Sequence, residues 1–226
     1  MNLPLSVHEQ ILLLSLDDET GWWGEVPAQF LLASAALIEL LRRKLIRVDL
    51  DNNIVVVNPA PAGDAFLDFL LGELTKRAPQ WSPVLIESVF KGKKVGDRIA
   101  ETLVEQGILE RRDGRAMWVF PRTEYPTRDP GPEREVRDRL RDAIINDQSP
   151  SADTTVVVAL LRAGAGLSCL LSGEEMRQHG ERLRWFCHEA LATVHPDPDI
   201  CHDTGVIVRA TALALVDDAQ SFELWW

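Results

Sequence analysis

The stretch Ser6-Val7-His8-Glu9-Gln10-Ile11-Leu12-Leu13-Leu14-Ser15-Leu16 decides how the rest of this chain is read. Ser6 and Glu9 have the S-x-x-E spacing of a capping box, in which each side chain meets the other residue's backbone N–H at a helix start. The run that follows is apolar on nearly every side, so the spacing predicts a central helix rather than an amphipathic surface one. Gly21 is the expected stop. Trp22 and Trp23 come next, and pattern alone leaves open whether these indoles fill the core or touch a ligand.

Working outward, Pro27 suits a first-turn position, and FLLASAALIELLRRK predicts a second helix reaching about Lys44. IRVDLDNNIVVVN alternates on both sides of Asp51-Asn52-Asn53, which predicts a β-hairpin. Asp64 is placed to cap a helix carrying Phe66, Leu67, Leu70, Leu71 and Leu74. Ser82-Pro83 repeats the cap-then-proline signal, and a further helix is expected from Val95 to about Gln106, stopped by Gly107. A second hairpin is expected from ILERR and RAMWVF, with Asp113-Gly114 as its turn. That register puts Met117 and Val119 on one face of a strand and Trp118 and Phe120 on the other.

PRTEYPTRDPGP has four prolines, so residues 121–133 are expected to form a flexible strap. Beyond it the pattern is helical, with an apolar stripe at Val136, Leu140 and Ile144. The fold class is mainly α: a single globular helical domain over 1–226, with a central helical bundle and small β-hairpins. ALIELLRRKLIRVDLDNNIVVV and ETLVEQGILERRDGRAMWVF both run from helix into hairpin, an internal echo that the commonness of this local unit explains better than duplication does.

Composition excludes several functions. The 226 residues carry a formal net charge of −11, which disfavours nucleic-acid or anionic-membrane binding by the whole surface, though not by a local basic patch. No apolar run reaches the roughly 20 residues of a membrane span. Three cysteines and no secretory signal predict a cytoplasmic protein, with membrane contact, if any, peripheral. Gly164-Ala165-Gly166 is a softened helix end rather than a nucleotide loop. Cys187, His188, His195, Cys201 and His202 lack the close paired spacing of a zinc site, so buried thiols and solvated imidazoles are expected. No spacing predicts a catalytic residue, a metal site or a cofactor.

Two cationic clusters stand against the acidic balance: Arg42, Arg43, Lys44 and Arg47, and Lys91, Lys93, Lys94 and Arg98. The first sits where helix C-termini favour cations. The second lies at a helix start, where spare N–H groups also favour an anion.

Four stretches in order resemble the Golgi phosphoprotein 3 family, which includes a yeast vacuolar-sorting relative and shorter bacterial members. They are LPLSVHEQILLLSLDDETG, ALIELLRRKLI, PAPAGDAFLD, and DRIAETLVEQGIL with a hairpin ending VFPRTEYP. The resemblance implies a mostly α fold and a non-enzymatic peripheral membrane adaptor. Eukaryotic members bind phosphatidylinositol 4-phosphate and link membrane enzymes to coat proteins. By the same resemblance Trp23 corresponds to the family's headgroup tryptophan, with Trp22 as alternative. Ala33, Lys93 and Gly96 stand where three arginines belong.

One cation of three therefore remains, as a lysine without the bidentate fork that suits phosphate. Each lost charge-assisted hydrogen bond is worth roughly 1.5–3 kcal/mol. Two losses predict phosphoinositide binding weaker by roughly two to four decades. The expected headgroup residues are Trp23, Lys93, Lys94 and Arg98. The expected membrane-insertion or oligomer contact is Met117, Trp118, Val119 and Phe120. The expected partners are an anionic membrane lipid, client membrane enzymes and a second copy of the chain. Two rival readings remain from other classes. One is a winged-helix DNA binder with Arg111, Arg112 and Arg115 on its wing; the other is a protein–protein scaffold built on the second hairpin.

Overall fold

The computed structural model describes residues 4–16, 27–77, 79–81, 95–116 and 120–215. Helix α1 spans Val7–Ser15, and its capping box is formed: Glu9 N–H donates to Ser6 Oγ at 3.4 Å and Ser6 N–H donates to Glu9 Oε2 at 2.7 Å. Every residue from Val7 to Leu14 is buried, so the helix is central as its all-round apolarity predicts. It ends earlier than expected. Leu16 turns to extended backbone, its N–H still donating to the Leu12 carbonyl at 3.1 Å.

Helix α2, Pro27–Arg42, packs along α1. Strands β1 (Ile46–Val48) and β2 (Asn53–Val56) form the expected hairpin, with Asn52 taking the left-handed conformation at φ 60°. The Asp49 carboxylate accepts from the Asn53 backbone N–H at 2.9 Å and closes that turn. Asp64 caps α3 (Ala65–Arg77) by accepting from Leu67 N–H at 2.8 Å. A third strand, β3 (Gln80–Trp81), joins this sheet beside β2 in the order β1-β2-β3. The helix expected after Ser82-Pro83 lies outside the described residues.

Helix α4, Val95–Glu105, stops at Gly107, whose φ of 77° is the left-handed closure expected there. The second hairpin is real but its predicted register is wrong. Strands β4 (Arg112–Ala116) and β5 (Phe120–Glu124) pair Asp113 with Thr123 and Gly114 with Arg122, so Asp113-Gly114 lies inside a strand. Paired strand ends fall at Ala116 and Phe120, and residues 117–119 join them.

Long-range contacts at the base of the hairpin set this register. Glu110 N–H donates to the Pro126 carbonyl at 2.9 Å, Leu109 bridges Thr127, and Arg128 N–H donates to the Ile108 carbonyl at 2.9 Å. Residues 121–133 are accordingly no flexible strap. They hold most of β5, then Tyr125, which is 2 % exposed and donates its hydroxyl to Glu101 Oε1 at 3.0 Å, then the start of α5.

Helix α5 spans Gly131–Ile145 and buries the predicted stripe of Val136, Leu140 and Ile144. Helix α6, Ala152–Ala163, is capped by Ser151 and ends at Gly164. A Cβ on Gly164 would stand 2.4 Å from Leu31 Cδ2, so the glycine lets α6 approach α2. The following segment is broken: α7 (Gly173–Gln178), α8 (Gly180–Trp185) and a π-turn over Phe186–Ala190 precede α9, Pro198–Leu215. Helix α1 touches α2, α4, α5 and α6, while α9 lies on α2 and α6. The chain is mainly α, with one contiguous hydrophobic core running from Val7 to Ala210. Among the described residues no helix is long and apolar enough to cross a membrane.

Candidate functional site

Of the residues expected to face a lipid headgroup, Trp23, Lys93 and Lys94 lie outside the described residues, as do Trp22 and Lys91. Arg98 is placed. It sits exposed in the first turns of α4, its guanidinium carbon 4.1 Å from the centroid of the Phe69 ring on α3. That stacking holds the cation by a cation–π contact. The two positions where resemblance expects further arginines are buried: Ala33 in α2 at 0 % exposure, and Gly96 in α4. Ala33 is part of the core, where a guanidinium would have no water.

Of the expected insertion residues, Met117, Trp118 and Val119 also lie outside the described residues. Phe120 opens β5, opposite Ala116.

Three cations of the first cluster and two on the second hairpin have internal partners. Arg42 pairs with Asp153 at 2.6 Å, Arg43 donates to the Ala62 carbonyl at 2.6 Å, and Lys44 pairs with Asp197 at 3.2 Å. The Lys44 ammonium holds the Asp197 carboxyl below its usual range. On the second hairpin, Arg111 pairs with Glu101 at 2.7 Å and Asp113 at 3.2 Å, and Arg112 with Glu110 at 3.1 Å.

Cys187 and Cys201 are buried, while His188 and His202 are exposed, as the spacing predicts. Burial pushes the Cys187 thiol up to about 11, and Cys201 Sγ donates to the His195 carbonyl at 3.2 Å. These are inert core thiols. Among the described residues, no group of three or more His, Cys, Asp and Glu side chains is arranged to hold a metal ion.

Three features escape periodicity. His8, Glu9 and Gln10 are all buried although polar. Glu9 completes the cap and also accepts from Gln106 Nε2 at 2.8 Å, tying α1 to the end of α4. His8 packs 5.3 Å from the Phe66 ring, and burial lowers its pKa against the pull of nearby Glu39 and Glu9. The only available signal was indirect: a helix apolar on all sides buries whatever polar residues it carries. Second, Asp203 is 8 % exposed and accepts from Val48 N–H at 2.8 Å, docking the first hairpin on α9. Third, Leu50 at the tip of that hairpin is fully exposed.

The described residues form a helical bundle that carries two small antiparallel sheets. The profile of the family described as Golgi phosphoprotein 3 (GPP34) matches residues 7–195, and the chain belongs to that family. A comparison with curated proteins finds no match. Membership makes the chain, at the family level, a Golgi-phosphoprotein-like adaptor.

Proposed function

We propose that this chain is a non-enzymatic peripheral membrane adaptor that contacts anionic lipid at two places. Trp23, Lys93, Lys94 and Arg98 form the headgroup contact at the start of α4. Met117, Trp118, Val119 and Phe120 enter the interface at the second hairpin, where amphipathic rings are favoured. The observation that carries this reading is the hairpin register. Between the paired residues Ala116 and Phe120 the sequence carries only Met117, Trp118 and Val119, all apolar, a composition that marks a contact surface.

Arg98, exposed and stacked on Phe69, supports the headgroup contact. With Ala33 and Gly96 in place of two family arginines, the lipid is recognised by charge more than by a phosphoinositide-specific fork. Arg111 and Arg112, which a DNA-reading wing would need, are paired with Glu101 and Glu110. Co-flotation with vesicles tests the proposal. Binding is expected with phosphatidylserine, with little further gain from phosphatidylinositol 4-phosphate, and it should weaken with salt. No flotation with any anionic vesicle at low salt would overturn it.

A further inference from the structure

At the end of the bundle away from Arg98, a cavity of about 390 Å³ opens between the start of α1, the residues after α4, and the starts of α5 and α6. From Arg98 to the last residue of α4 is roughly 10 Å of helix. The cavity falls within the roughly 300–1,000 Å³ range of small-molecule sites. One wall is apolar, made by Leu5, Ile108 and Val136. The other carries Gln10, Glu135 and Arg139.

Arg139 is a charge without a counter-charge. Its Nη2 donates to Gln10 Oε1 at 2.7 Å, its Nε is buried with no acceptor, and it has no ion pair among the described residues. Gln10 is 3 % exposed and is itself fixed, donating from Nε2 to the Leu5 carbonyl at 2.8 Å. A buried amide thus holds a guanidinium at the cavity wall. Half-buried charges are normally paired, because desolvation without a partner is costly.

Glu135 lies one helical turn before Arg139 on α5, so the two share a face. It too has no ion pair among the described residues. The other acid on the cavity, Asp153, is already answered by Arg42. A cation and an anion without ion pairs among the described residues therefore share the lining with Leu5, Ile108 and Val136.

We propose that this cavity binds a small aliphatic zwitterion of the α-amino-acid type. The carboxylate meets Arg139, the ammonium meets Glu135, and the side chain lies against Leu5, Ile108 and Val136. The site is independent of the lipid contact, and its ligand would report metabolite level to the adaptor.

Isothermal titration of the full chain with L-leucine, 4-methylpentanoate and 3-methylbutylamine tests it, since the two analogues each lack one charge. Leucine should bind saturably and each analogue at least tenfold more weakly. Glu135→Gln should reduce leucine to the level of 4-methylpentanoate, and Arg139→Gln should abolish binding of both. Glu135 is exposed, so its variant keeps the test valid even if Arg139→Gln fails to fold. No leucine binding by the wild type, equal binding of either analogue, or unchanged leucine affinity in Glu135→Gln would each overturn the proposal.

Discussion

The two hairpins follow the same kind of helix end, yet they are held by different means. The first is fixed by its own turn and by a third strand: Asn52 is left-handed, Asp49 closes the loop, and β3 covers β2. Asp203 then docks it on α9. The second is fixed at its base, where Tyr125, the Leu109–Thr127 bridge and the Arg111–Glu101 ion pair clamp it to α4. A hairpin held by its turn has a register written locally. One held at its base has a register written by residues beyond its own turn.

That contrast can be broken at four points, taken from the largest expected effect. Tyr125→Ala should destabilise the chain by about 3–5 kcal/mol, as truncation of a buried ring does, measured by urea unfolding. A strap outside the core would lose almost nothing. Asp203→Ala should cost about 1–3 kcal/mol by leaving Val48 N–H without its acceptor. Gly107→Ala should cost about 1–2 kcal/mol, because an L side chain must take the left-handed conformation there. Gly114→Ala should change stability by no more than about 0.5 kcal/mol, since Gly114 is paired in a strand. A cost at Gly114 as large as at Gly107 would restore Asp113-Gly114 as the turn.

The smallest effect is a pH slope from His8 on the central helix α1. The folded His8 pKa is lowered, so the unfolded chain binds more protons below 6.5. Stability should therefore fall as pH drops through 6.5 toward the folded value, and rise again on return. Burial is the main cause, opposed by Glu39, Glu9 and Asp64 and reinforced by Arg43. His8→Gln should flatten the slope in urea midpoints measured across this range.

The same contrast explains what sequence could reveal. The Ser6–Glu9 cap, the Asp64 cap, the Gly107 stop and the Val136–Leu140–Ile144 stripe are local signals, and each forms as its pattern predicts. Asp113-Gly114 is an equally strong local signal, but contacts made by Tyr125, Pro126 and Thr127 override it. Proline content likewise misrepresents residues 121–133, because Pro121 pairs in a strand and Pro132 opens a helix. At the candidate site, charge clustering singled out Arg98, while its seat on Phe69 depends on how α3 meets α4. The unpaired state of Arg139 was invisible, because its nearest acid in sequence register, Glu135, sits where a helix would pair them.

Flotation of two tip variants on phosphatidylserine vesicles tests the central claim, that the second hairpin is the membrane element. Leu50→Asp places a charge at the exposed tip of the first hairpin, and Trp118→Asp places one in the link of the second. The account predicts that Leu50→Asp floats like the wild type and that Trp118→Asp, still folded, stays in the unbound fraction. Loss of flotation in Leu50→Asp, with Trp118→Asp unaffected, would contradict it.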